Sequence, residues 1–327
     1  MFASLPAGAD WAHDLPALAI LAGLAVLVVG ADVLVRGAVW IALTLGISRM
    51  AVGLTLVAMG TSMPELLVSF TAAHSGHSDI AMANVLGSNV ANILLIIGVS
   101  AAIRAIHLKT DKLEFAYMLV ATAMAGLPFL FSGRLDRPLA GAMVGMLVVF
   151  CTHLMRREQR RPRPPEHQER PKGGLVGWLQ HLALLGAGLV MLAYGAEWLV
   201  DGSVAVAKSM GLSDAIVGMT IVAVGTSLPE LATSAVAAAK GHSEIAIGNV
   251  VGSNIFNVGA VLGIAGLLQP FAVDVAALDW LMIATVVSAV LLTLVMKTLH
   301  GVPRLVGVAF LVSYAGYLAA EVARMPG

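Results

Sequence analysis

GLTLVAMGTSMPELLVSFTAAHSGHSDIAMANVLGSNVANILLIIG, residues 53–98, recurs 165 positions later as GMTIVAVGTSLPELATSAVAAAKGHSEIAIGNVVGSNIFNVGAVLG, residues 218–263. Without a gap, 25 of the 46 positions are identical. The match runs on upstream, where Gly30-Ala31-Asp32 falls on Gly195-Ala196-Glu197. Self-similarity at one fixed offset is the signature of a duplicated unit, so the two halves of the chain are copies.

The composition says where such a chain resides. Of 327 residues, 59% are hydrophobic and only 12% charged, whereas soluble domains are about half apolar and about a quarter charged. A bilayer core about 30 Å thick takes about 20 apolar residues per helix. The chain therefore reads as a membrane protein of roughly ten spans without a sizeable soluble domain. Lys plus Arg (19) balance Asp plus Glu (19), which excludes the broad basic surface of a nucleic-acid binder. A single cysteine, Cys151, excludes an internal disulfide or a thiolate zinc cluster. Residues 1–16 carry Asp10 and Asp14 but no Lys or Arg, so they lack the basic start of a cleaved signal peptide, and the first span is expected to be retained.

Apolar runs predict helices near 15–45, 49–73, 78–103, 112–131, 138–155, 175–210, 214–239, 244–268, 276–297 and 303–322. Their continuous apolar character, without strict alternation, predicts an all-α bundle rather than a β-barrel. One linker stands out, Arg156 to Lys172, whose seven basic residues, three acids and four prolines argue against a packed helix. It divides the chain into a first repeat (1–155), a linker (156–172) and a second repeat (173–327). With ten spans, the compartment that holds the linker collects 14 Lys and Arg and the other four. The positive-inside rule then makes the linker cytoplasmic and both termini extracytoplasmic, in a multi-pass protein of the cell (inner) membrane. Five spans per copy is an odd number, so the second copy crosses the bilayer in the opposite sense, as an inverted-topology repeat.

Generic duplication of apolar helices would preserve spacing only. Here polar residues deep in apolar runs recur: Thr61, Ser62, Glu65, Asn84, Ser88, Asn89 and Asn92 match Thr226, Ser227, Glu230, Asn249, Ser253, Asn254 and Asn257. An ionisable group at a span centre costs at least about 2.5 kcal/mol on insertion scales. Two matched membrane carboxylates therefore point to function, whereas for Asn84, Asn89, Asn249 and Asn254 hydrogen bonds between helices weigh equally with an indirect role at the site. Thr61 and Ser62 lie four and three residues before Glu65, so their groups share one helix face with the carboxylate and all can serve one site. Pro64 and Pro229 lack an N–H and crowd the preceding turn, so main-chain oxygens near 58–61 are freed toward a cavity. Carboxylate, hydroxyl, amide and carbonyl oxygens suit hard cations such as Ca²⁺, while soft metals would call for His or Cys. Asp32 has Arg36 one turn on, and Glu197 faces Asp201, which assigns these acids a structural or gating role. His77 and His242, at span ends, read as interfacial.

The paired Gly-Thr-Ser-x-Pro-Glu and Gly-Ser-Asn-x-x-Asn motifs resemble the α-repeats of the sodium/calcium exchanger family, within the cation/calcium exchanger superfamily. The resemblance covers both halves and implies ten helices with an ion centre between helices 2, 3, 7 and 8. It also implies Ca²⁺ movement against about three Na⁺ by alternating access. Carried over by motif, the ligands would be Glu65 and Glu230 at the centre with Thr61, Ser62, Thr226 and Ser227 beside them. Ser88, Asn92, Ser253 and Asn257 would add oxygens, and the main-chain carbonyls of Ala58 and Ala223 would serve outlying sodium sites. Some relatives, including potassium-dependent exchangers, have Asp where this chain has Asn257, which argues against K⁺ cotransport. Proton-coupled relatives resemble Gly-Asn-x-x-Glu at the helix 2 and 7 motif, which this chain lacks. The linker is too short for the calcium-sensing insertion of animal exchangers. No enzyme motif, His-Glu-x-x-His or Gly-x-Ser-x-Gly, occurs. The expectation is an antiporter of Na⁺ and Ca²⁺, with no cofactor beyond the transported ions, no nucleic acid and no evident protein partner. The rivals are a Ca²⁺/H⁺ antiporter and a passive cation channel.

Overall fold

The computed structural model describes residues 12, 14–75, 78–107, 113–160, 174–211 and 223–324. Helix α1 spans Pro16–Leu45, opened by a proline in its first turn and closed by Gly46 in the left-handed region (φ 68°), whose N–H bonds the Ala42 carbonyl. Helix α2, Arg49–Thr61, is bent by 45° from α3, Met63–His74. Helix α4 joins Ser78–Val90, a π-helical stretch Ala91–Ile96, and Ile97–Ile103. Strand β1 (Ile106–His107), helix α5 (Leu113–Leu127, running on as π-helical Pro128–Ser132), strand β2 (Arg134–Leu135) and helix α6 (Arg137–Arg160) complete the first half.

The second half repeats this order. Helix α7 is Gly174–Ser209, α8 the short Ala223–Gly225, and α9 Leu228–Ala239. Helix α10 joins Ser243–Phe256, π-helical Asn257–Leu262 and Gly263–Leu268. Strand β3 (Phe271–Ala272), helix α11 (Val275–Leu299), strand β4 (Gly301–Val302) and helix α12 (Arg304–Ala323) follow. Among the described residues, eight helices are long and apolar enough to cross a membrane, and the bent pair α2–α3 makes a ninth. Of the span expected over 214–239, residues 214–222 lie outside the described residues.

The linker expectation needs correction at its start. Helix α6 does not stop at 155 but continues through Arg156–Arg160. The straight-chain residues Arg, Glu and Gln are good helix formers and the first proline comes only at Pro162. Tertiary partners hold the extra turn as well. Arg157 pairs with the buried Glu114 at 2.8 Å, and Glu158 Oε2 accepts the Ser48 N–H at 2.7 Å, placing an anion at the start of α2.

Helices α1 and α7 pack as one antiparallel pair through glycines seven residues apart. A Cβ at Gly23 would lie 2.7 Å from the Gly195 carbonyl oxygen, and one at Gly188 would lie 2.9 Å from that of Gly30. Gly202 meets the Pro16 carbonyl in the same way, at 2.7 Å. Only residues without a side chain let two backbones approach so closely in lipid. This pair forms a separate apolar cluster with parts of α2, α9 and α10, including Leu27, Leu34, Val57, Leu192, Ala237 and Ile245. The main core lies among α4, α5, α6, α10, α11 and α12, around Leu86, Ile93, Met118, Met143, Ile255 and Leu292.

Two small ribbons tie the halves together. Strand β1 pairs antiparallel with β4, and β2 with β3, so each ribbon takes one strand from each half. A Cβ at Gly301 would lie 2.0 Å from the Ile106 carbonyl oxygen, so only glycine fits the first ribbon. Helix α2 crosses α10 closely too, where Cβ atoms on Gly248 and Gly252 would both meet main-chain or Cβ atoms of α2 at 2.7 Å.

Candidate cation site

The site is built on two matched breaks. Ser62 (φ −82°, ψ 8°) separates α2 from α3, and Ser227 (φ −90°, ψ 5°) precedes α9 with almost the same backbone. Pro64 and Pro229 each sit in the first turn of the helix that follows, where a missing N–H costs nothing. Glu65 and Glu230 are each the third residue of their helix, so the positive end of a helix dipole faces each carboxylate. Both side chains are deeply buried, at 1% exposure.

The reading of Thr61, Ser62 and Glu65 as one helical face is overturned, because the chain turns between them. Ser62 Oγ donates instead to Glu230 Oε1 at 3.0 Å, and Ser227 Oγ donates to Glu65 Oε1 at 3.2 Å. Each half therefore supplies a hydroxyl to the other half's carboxylate. The threonines cross over likewise: Thr61 Oγ1 donates to Asn249 Oδ1 at 3.1 Å and Thr226 Oγ1 to Asn84 Oδ1 at 3.4 Å.

The neighbouring helices complete the enclosure. Ser88 on α4 donates to Glu65 Oε1 at 3.4 Å. Asn92 and Asn257 lie in the π-helical stretches of α4 and α10, a wide-turn geometry that often marks functional sites. Where these helices meet, four buried oxygens have no hydrogen-bond partner among the described residues: Glu65 Oε2, Glu230 Oε2, Asn92 Oδ1 and Asn257 Oδ1. Buried polar atoms are nearly always paired, and each unpaired one calls for an explanation. A set of unpaired carboxylate and amide oxygens drawn from four helices is what a hard cation accepts. Among the described residues no group of three or more His, Cys, Asp or Glu could hold a metal, so neutral oxygens must supply the rest of any coordination shell.

The remaining expected residues are placed as follows. The Ala58 carbonyl accepts the Ser62 N–H at 3.0 Å, so its helical bond survives the break, and the Thr61 hydroxyl lies 3.4 Å from the same oxygen. Ala223 opens the short helix α8. Asp32 stands apart, bonded to Arg36 at 2.6 Å and ion-paired with Lys240 at the end of α9. Glu197 is buried on α7, one turn before Asp201. His242 flanks α10 with Arg49 Nη1 at 3.4 Å, while His77 lies outside the described residues.

Ser69 and Ser234, which the motifs do not include, support the site from behind the glutamates. Asn84 Nδ2 donates to Ser69 Oγ at 2.9 Å and to the Glu65 carbonyl at 3.3 Å, and Asn249 does the same with Ser234 at 3.0 Å and Glu230 at 3.4 Å. Ser69 and Ser234 are identical at matched positions of the repeat, a signal that was available.

The chain is similar to known proteins over most of its length. The family described as sodium/calcium exchanger protein matches residues 15–156 and 180–322. The putative antiporter CaxA of Alkalimonas amylolytica is 38% identical over 307 residues, covering 91% of this chain and 96% of that protein. The sodium/calcium exchanger MaX1 of Methanosarcina acetivorans is 32% identical over 341 residues, covering 92% and 97%. A solved structure of the sodium-calcium exchanger NCX_Mj superposes with a TM-score of 0.78 at 27% identity, over 96% of this chain and 99% of that one. Because the match runs through both halves and takes in each of the two helix breaks, the chain belongs to the sodium/calcium exchanger family.

Proposed function

We propose that this chain is a secondary active antiporter that exchanges Na⁺ for Ca²⁺ by alternating access at a centre shared by its two halves, electrogenically and without K⁺. The observation that carries the reading is the pair of buried carboxylates, Glu65 and Glu230, each with one oxygen bonded by the opposite half's serine and one without a partner among the described residues. Two such charges in a low-dielectric interior repel and are costly unless cations neutralise them. The ions are cargo, and the protein carries no resident cofactor.

Ten spans in two inverted five-helix repeats make the fold of this reading. The reciprocal serine and threonine bonds support it, as does the exchange of strands, β1 with β4 and β2 with β3. Helix α5 separates β1 from β2, so the ribbons belong to opposite ends of the bundle, as inverted copies require. The basic linker faces the cytoplasm of the cell membrane and both termini face outward. The ligands are Glu65, Glu230, Thr61, Ser62, Thr226, Ser227, Ser88, Asn92, Ser253 and Asn257, with the Ala58 and Ala223 carbonyls at the margins.

Charge counting makes the coupling testable. With Asn257 neutral and both glutamates ionised the centre carries −2, one Ca²⁺ brings it to 0 and three Na⁺ to +1. Moving one charge through the membrane is worth about 2.3 kcal/mol per 100 mV. In proteoliposomes of the purified protein, ⁴⁵Ca²⁺ uptake should follow an outward Na⁺ gradient and not an outward K⁺ or H⁺ gradient, and an interior-negative K⁺/valinomycin potential should slow it. Uptake driven by a proton gradient alone would replace this reading with a Ca²⁺/H⁺ antiporter, and voltage-independent flux would remove the 3:1 count.

A further inference from the structure

An amide presents two ends of nearly equal size, and only its oxygen end can ligate a cation. If Asn92 and Asn257 are ligands, something must decide which end each turns to the ion. The structure holds two relays of hydrogen bonds that do so, and each ends on a group that can only accept.

In the first, Asn89 Nδ2 donates to the main-chain carbonyl of Asn254 at 3.5 Å. A carbonyl has no proton to give, so the amino end of Asn89 must face it and the oxygen end must face away. That oxygen accepts Asn257 Nδ2 at 3.0 Å. The amino end of Asn257 is thereby fixed, and its Oδ1 is left buried without a partner. In the second relay, Asn254 Nδ2 donates to the thioether sulfur of Met118 at 3.7 Å, again an acceptor only. Asn254 Oδ1 accordingly accepts Asn92 Nδ2 at 3.4 Å, and Asn92 Oδ1 is the unpartnered atom.

Both relays cross between the halves, and all four asparagines are buried. We infer that Asn89 and Asn254 are positioning residues that fix the amide orientation of Asn257 and Asn92, so that each presents oxygen to the cation. The inference rests on the ion-site reading above. Flipping Asn257 would set its oxygen against the Asn89 oxygen and its amino group toward the cation, losing a hydrogen bond and a ligand at once. A carboxylate has oxygen at both ends and needs no such guidance. The relays are therefore necessary where the ligand is asparagine and dispensable where it is aspartate, which separates orientation from mere packing.

The test is equilibrium ⁴⁵Ca²⁺ binding to the purified full-length protein. Loss of a group that orients a ligand typically costs about 10–100-fold in metal affinity, and Asn89→Leu should lose that much with Asn257 in place. In an Asn257→Asp background the same Asn89→Leu change should lose far less. An equal loss in both backgrounds, or no loss with Asn257 present, overturns the inference. Should Asn89→Leu fail to fold, Asn254→Leu measured with and without Asn92→Asp carries the same expectation through the second relay and the same power to refute. The underlying site fails separately: Ca²⁺ binding that survives both Glu65→Gln and Glu230→Gln removes the ion centre itself, whatever the asparagine variants do.

Discussion

The hydroxyl of Ser62 bonds the carboxylate of Glu230, 168 positions away, and not that of Glu65, three positions away. Ser227 reciprocates on Glu65. Hydrogen bonds to charged groups contribute about 1.5–3 kcal/mol net. Double-mutant cycles on thermal stability in detergent should therefore find Ser62→Ala coupled to Glu230→Gln by at least about 0.5 kcal/mol, and more weakly to Glu65→Gln. Coupling to Glu65 instead would mean that the serines serve their own helices.

Glu65→Gln and Glu230→Gln should each abolish Ca²⁺ exchange while the protein still elutes as a monodisperse species. Each replacement keeps the shape of the side chain and removes half the formal charge that faces a divalent ion. Near-normal ⁴⁵Ca²⁺ flux in either purified variant contradicts the assignment.

Asp32→Asn should retain substantial exchange. Its carboxylate is engaged by Arg36 and Lys240, and it touches none of the oxygens gathered at the helix breaks. The expected cost is in stability, through a weakened tie between α1 and the end of α9. Complete loss of flux in a well-folded Asp32→Asn protein would bring this residue into the transport machinery.

Gly195→Ala should destabilise the protein by about 1–3 kcal/mol, the usual cost of overpacking a close contact. Its Cβ would lie 2.8 Å from the Leu27 amide nitrogen, a backbone atom that cannot swing aside. Gly186→Ala on the same helix meets nothing within 4 Å, and should be neutral or raise stability by up to about 1 kcal/mol through its helix preference. Equal melting temperatures for the two variants would show that α1 and α7 do not depend on their glycines.

Much of this was legible in the chain. The apolar runs fixed the helices because lipid leaves the backbone no other partner than itself. The undisplaced repeat singled out Glu65 and Glu230 because intramembrane carboxylates are expensive and these two recur with the same neighbours. What the sequence could not tell was which group meets which. Reasoning along one helix joined Ser62 to Glu65, but the chain bends at Ser62 and the hydroxyl leaves that face, so its partner depended on how the two halves dock. The same limit applied to Asn89 and Asn254, which could be interhelical glue or outer supports of the site until the carbonyl of Asn254 and the sulfur of Met118 fixed the direction of each amide. Helix α6 ran past 155 for a like reason: Glu114 and the amide of Ser48, both remote in sequence, hold its last turn. Local pattern set the elements and the chemical inventory of this protein, and docking of the two copies assigned the partners, because hydrogen bonds across a pseudo-symmetric interface join residues whose separation in the chain carries no local signal.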